Sequence, residues 1–157
     1  MQEELRKHET TLLISGMADV AFGAWSLIKA VLYVFLNKKD LMEQLPEDAN
    51  GPIIYVVIAA AVLFVAAVDC VLRLYVGFSA RAEAKGKEKG RGYLIAAFVL
   101  IALLVVSLVT SVWNDSYTVS SDFHMPVSLL LDFSSLFALT ETRLAAVRVR
   151  KLKKLTR

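Results

Sequence analysis

Seven ionisable side chains lie inside stretches that are otherwise apolar: Asp19, Lys29, Asp69, Arg73, Asp132, Glu141 and Arg143. They are the residues with the means to do chemistry. A charge at the centre of a membrane helix costs ~2.5–3.5 kcal/mol on insertion scales, so each needs a partner or a role. Counting ~1.5 Å of rise per residue from the span ends puts Asp19, Asp69 and Glu141 at a similar depth, ~9–14 Å inside one boundary. Arg73 and Arg143 lie nearer that boundary. Lys29 and Asp132 lie toward the other one. They are opposite in sign and matched in depth, which predicts an ion pair joining the first and fourth helices. Asp69 and Arg73 are one helical turn apart with the acid first, the favoured order for a pair along one helix.

Two uses of these charges compete. In the structural one, Asp69–Arg73 and Lys29–Asp132 are static pairs that fix helix register, while Glu141 and Arg143 reach for the interface. In the functional one, Asp19, Asp69 and Glu141 line a polar cavity open to the cytoplasm, with Arg73 tuning them. A carboxylate there that is short of a cation carries a proton or binds a cation.

The elements that must hold these groups are long apolar helices. Of 157 residues, 57% are hydrophobic, and the mean hydropathy is +0.56. Soluble domains usually hold ~45–50% apolar residues even with glycine counted. The excess is concentrated in blocks that reach the ~20 residues a span needs. The predicted spans are 11–36, 52–78, 93–113 and 126–147, followed by a basic tail, 148–157. A soluble globular enzyme and a disordered chain are both excluded. The fold class expected is an all-α integral membrane protein: four transmembrane helices in one antiparallel up-down bundle domain over 1–157.

The fourth span is the weakest, because Asp132, Glu141 and Arg143 interrupt it. An amphipathic helix on the membrane surface is the alternative. Leu129, Leu130, Leu131, Phe133, Leu136, Phe137 and Leu139 leave it no broad polar face, which favours a true span. Pro52 and Pro126 suit the first turn of a helix, and Asn50-Gly51 suits the turn before one. Tyr33, Tyr55 and Trp113 fall near one interface and Tyr75 and Tyr93 near the other, as in aromatic belts. The apolar stretch before Asp19 is short and Glu3, Glu4 and Glu9 dilute the basic start, so a cleaved signal peptide is not expected.

The basic residues set orientation. Of 18 Lys and Arg, fifteen fall on one side of such a bundle: at the amino terminus, in the 73–91 region and after residue 142. The segment 114–125 has none. The positive-inside rule then puts both termini and the 81–91 loop in the cytoplasm, in the plasma (inner) membrane.

On the first span, Ser15, Gly16, Gly23, Ser26 and Ala30 form a stripe of small residues around Asp19. Small residues let membrane helices approach closely, so this stripe is a packing surface and Asp19 faces a helix rather than lipid. The leading functional expectation is association through that stripe, as a homo-oligomer or as an accessory or scaffold subunit. The alternative is a proton- or cation-coupled transporter or channel built on Asp19, Asp69 and Glu141.

Other motifs point nowhere sharper. Lys85-Gly86-Lys87-Glu88 lacks the spacing of a phosphate loop. Arg148, Arg150, Lys151, Lys153 and Lys154 are candidates for contact with anionic lipid headgroups, each adding ~1 kcal/mol near such a leaflet. With no aromatics among them, nucleic acid is not expected as a partner. Bases at every third residue, the mark of a voltage sensor, are absent from span four. One Cys and two His, at Cys70, His8 and His124, make no metal cluster and no disulfide. No cofactor is expected. Ser/His or Cys/His catalysis lacks a pair of groups near each other in sequence, which leans against an enzyme. Cys70 reads as a buried inert thiol, and Asn114-Asp115-Ser116 as a chance glycosylation triplet.

Overall fold

A computed structural model describes residues 2–36, 38, 51–87, 89–113 and 124–155, with the backbone alone at 111–113 and 124–129. All of its elements are helices: α1 (Gln2–Leu36), α2 (Gly51–Ala84), α3 (Gly92–Trp113) and α4 (His124–Leu155). Three of them, α1, α2 and α3, are long and apolar enough to cross a membrane. Helices are what such runs must form in lipid, where each backbone N–H and C=O has to find its partner inside its own segment. The helix α4 is not one of the three. It does not lie apart from them, however, but packs along α1 and α3 and touches α2.

The helices overrun the expected spans at their polar ends. The first begins at Gln2 rather than near Thr11, the second runs on to Ala84, and the fourth carries its basic tail in helical form to Leu155. At 35, 34 and 32 residues, these three are longer than a ~30 Å hydrocarbon core requires. Glu3 and Glu4 in the first turn of α1 complement the helix dipole. The end of α2 is a Schellman turn. Lys87 N–H donates to the Ala82 carbonyl and Gly86 N–H to the Glu83 carbonyl, with Gly86 at φ 86°. That left-handed conformation is the reason for glycine there. Pro52 lies in the first turn of α2 and Pro126 in that of α4. Asn50 and the 114–116 triplet fall outside the described residues.

The most extensive contact is between α1 and α2. Gly16 lies against Gly77 and Ala80, and Gly23 against Cys70 and Arg73. A Cβ on Gly77 would collide with the Gly16 carbonyl oxygen and the Val20 side chain. The small-residue stripe of α1 is therefore consumed inside the chain. In addition α1 packs on α4, and α3 on α2 and α4, whereas α1 and α3 do not touch among the described residues. The buried core gathers Leu12, Val76, Ala80, Tyr93, Ala97, Leu100, Leu139 and Val149. Large apolar side chains such as Ile14, Phe35, Phe64, Phe98 and Phe137 stay on the outer surface, as expected where lipid is the solvent.

Candidate intramembrane site

A cavity of about 670 Å³ lies between the four helices. Each helix lends it one stripe: Phe22, Trp25, Ser26, Lys29 and Tyr33 from α1; Val62, Val65, Asp69 and Arg73 from α2; Leu100, Leu104 and Ser107 from α3; Leu131, Asp132 and Ser135 from α4. Within each helix most of these residues recur every three or four positions, the one-sided period of a helix. The wall is mostly apolar and carries two ion pairs.

The first pair is at the floor. Arg73 Nε donates to Asp69 Oδ2 at 2.9 Å, and Arg73 Nη1 donates to the Ser135 hydroxyl on α4. The Arg73 side chain is almost wholly buried, whereas Asp69 is partly open to the cavity. The second pair is looser: Lys29 Nζ lies 4.0 Å from Asp132 Oδ1, and both side chains are substantially exposed. It joins α1 to α4.

The three carboxylates expected to share one cavity do not. Asp69 lines it, whereas Asp19 and Glu141 do not. The cavity lies on the far side of Arg73 from the basic helix ends, not toward the cytoplasmic end where that cavity was expected. The cause is the α1–α2 crossing. Contacts of Gly16 and Gly77 below and of Gly23 and Arg73 above close the space around Asp19.

Asp19 is instead sealed in the interior with no exposed surface. Its Oδ2 lies 2.7 Å from the Thr142 hydroxyl on α4, while Oδ1 has no hydrogen-bond partner among the described residues. Thr142 also lies 2.9 Å from the Ala138 carbonyl oxygen. The aliphatic part of the Arg73 side chain lies against Gly23, one turn of α1 from Asp19. From the sequence alone, Thr142 has no assigned role. Its offset of seven from Ser135 was the available signal. Glu141 is half-buried on a different face of α4, and Arg143 lies over the Phe98 ring, 4.6 Å from its centroid.

A second cluster, at the basic end, was missed. Glu83 is buried. Arg150 grips it with two bonds, Nε to Oε1 at 2.6 Å and Nη2 to Oε2 at 2.7 Å, and the Tyr93 hydroxyl donates to Oε2 at 2.6 Å. Arg150 also donates to the Lys89 and Gly90 carbonyls and sits over the Tyr93 ring. The clasp joins α2, α3, α4 and the turn between α2 and α3. The Glu83 carboxylate strengthens the hold of the Arg150 guanidinium on its proton, raising its pKa above the ordinary value. Two expectations change here. Arg150 is not a headgroup contact but part of the clasp, and Tyr93 is a core residue rather than a belt aromatic. Lys153 is likewise drawn to Glu9 on α1, at 3.0 Å. Arg148, Lys151 and Lys154 remain exposed. Glu83 falls ten residues after Arg73 and seven after Val76, on the buried stripe of α2. That offset was the signal for it.

Replacing Tyr93 by Phe removes one hydrogen bond to a charged carboxylate. The expected loss is about 1.5–3 kcal/mol of stability, read from unfolding in mixed micelles.

Among the described residues, no three His, Cys, Asp or Glu side chains gather as a metal site would require. Comparison with protein-family models, curated proteins and solved structures found no match to this chain.

Proposed function

We propose that this chain is a small coupled carrier of the cell membrane, with its solute site in the cavity between the four helices. In this reading α4 is the fourth span, the helices alternate up and down as one unit over 1–157, and both termini and the 81–91 loop face the cytoplasm. The asymmetry of Lys and Arg supports that orientation. The cavity is the observation that carries the function. Its volume of about 670 Å³ falls in the ~300–1,000 Å³ range of small-molecule sites, and its apolar wall is broken by Asp69–Arg73 and Lys29–Asp132. Ionisable groups at membrane depth facing a cavity are the usual mark of a solute or ion pathway. The coupling ion is a proton or another small cation.

Association, the leading expectation from sequence, loses its surface, because Gly16 and Gly23 are already packed on α2 and Ser26 lines the cavity. A homo-oligomer remains part of the proposal, since four helices enclose little volume, but it uses other faces. Arg148, Lys151 and Lys154 are left to meet anionic headgroups.

The test is flux. Purified protein in liposomes, given pH, Na⁺ and K⁺ gradients in turn, should dissipate one of them. Asp69→Asn should abolish that flux while the protein still folds. Wild-type protein silent to all three overturns the carrier reading.

A further inference from the structure

The Asp19–Thr142 contact lies outside the cavity. Asp19 is fully buried, and among the described residues one of its oxygens is hydrogen-bonded to Thr142 and the other has no partner. A carboxylate taken out of water without compensation is among the costliest groups a fold can hold. The Thr142 hydroxyl has a single proton, yet it sits within hydrogen-bond distance of two acceptors, Asp19 Oδ2 and the Ala138 carbonyl. One added proton resolves both faults. On Oδ2 it donates to the Thr142 oxygen, Thr142 donates to Ala138, and Oδ1 becomes a neutral carbonyl oxygen instead of half of a charge.

We propose that Asp19 is the coupling site of the carrier, taking up and releasing one proton, and that Arg73 is the counter-ion it shares with Asp69 at the cavity floor. This rests on the carrier reading. The step is –COO⁻ + H₃O⁺ → –COOH + H₂O, and its reverse. In the arrangement described here, Arg73 holds Asp69 and Asp19 carries the proton. A solute group that takes Asp69 away frees the guanidinium, whose aliphatic stem lies along Gly23, one turn of α1 from Asp19. Arg73 then compensates ionised Asp19 as the proton leaves.

The groups facing Asp19 are few. From α2 come Arg73 and, opposite Gly23, Cys70. From α4 comes Thr142, with Glu141 turned to another face, and among the described residues the α3 backbone does not come close to α1. A metal ion is a poor fit. Calcium takes ~6–8 oxygen ligands and magnesium ~6, whereas among the described residues the side-chain oxygens that converge here are those of Asp19 and Thr142.

Infrared titration of the whole protein in liposomes tests this. A carboxylic-acid carbonyl band should rise and fall with pH as one proton binds. It should be absent in Asp19→Asn, shift frequency in Thr142→Val, and change its pH midpoint in Asp69→Asn, where Arg73 is released. If Asp19→Asn does not fold, the Thr142→Val shift in protein carrying ¹³C-labelled aspartate makes the assignment. No titrating band, or a band that survives Asp19→Asn, overturns the proton site. An unchanged midpoint in Asp69→Asn overturns the sharing of Arg73. A separate arm probes the reading beneath it: Ser107→Cys in a Cys70→Ala background should react with a charged thiol reagent, whereas lipid-facing Val106→Cys should not. A reactive Ser107→Cys with no titrating band sinks the proton site and spares the carrier. An unreactive one sinks the carrier, and the coupling with it.

Discussion

Replacing Gly77 by leucine should leave no folded protein to purify. Even the single carbon of an alanine side chain at this position would overlap the Gly16 backbone carbonyl and Val20. A backbone carbonyl cannot swing aside as a flexible side chain does, so α1 and α2 must separate. Between membrane helices, close packing of small residues is the main attraction, because lipid supplies no hydrophobic drive. Separation therefore loses contact along the whole of the most extensive helix pair. Gly77→Ala should cost about 1–3 kcal/mol, the usual range for overpacking, and Gly77→Leu should exceed what the fold can absorb. Gly90 is the control. Nothing lies within 4 Å of a Cβ there, so Gly90→Ala should leave unfolding unchanged. Folded yield and unfolding midpoints in detergent read all three. A Gly77→Leu protein that stays monodisperse and folded would mean that α1 and α2 do not cross at Gly16.

Glu83→Leu should be nearly as damaging. It strands the partly buried Arg150 guanidinium without its carboxylate and leaves the Tyr93 hydroxyl unpaired in the core. Breaking a buried pair from one side costs about 3–5 kcal/mol. The double variant Glu83→Leu/Arg150→Leu removes both charges, and much of that loss should return, since apolar replacements of buried pairs are often neutral. The Lys153–Glu9 pair is more open, so Lys153→Ala should cost less than about 1 kcal/mol. A double-mutant cycle on Glu83 and Arg150 measures the coupling directly. A coupling near zero would reduce the clasp to a surface pair.

The clasp also separates the two ends of the molecule. Near Glu83, Tyr93 and Arg150 the helices are packed solid and tied together, whereas beyond Arg73 they part around the cavity. The proposed carrier needs a region that opens and a region that holds. The clasp would supply the second, at the end where the positive charges collect.

What the sequence determined alone was whatever depends on neighbours along the chain. A run of about twenty predominantly apolar residues dictates a helix in lipid, and three helices long and apolar enough to cross a membrane are there. Asp69 and Arg73 are one turn apart, so no tertiary contact is needed to bring them together. Lys29 and Asp132 could be matched by depth alone, because both lie a known number of turns from a span end. Depth failed for Asp19 and Glu141, because it says nothing of rotation or of where two helices touch. That was decided by the crossing at Gly16 and Gly77, which sets α1 against α2 in one register and closes the interior at Asp19 while leaving it open at Asp69. Glu83 and Arg150, 67 residues apart, meet for the same reason. A periodic sequence names the inward face of each helix, but a slip of one turn between neighbours changes every partner on that face. Only close steric packing of particular side chains removes that freedom.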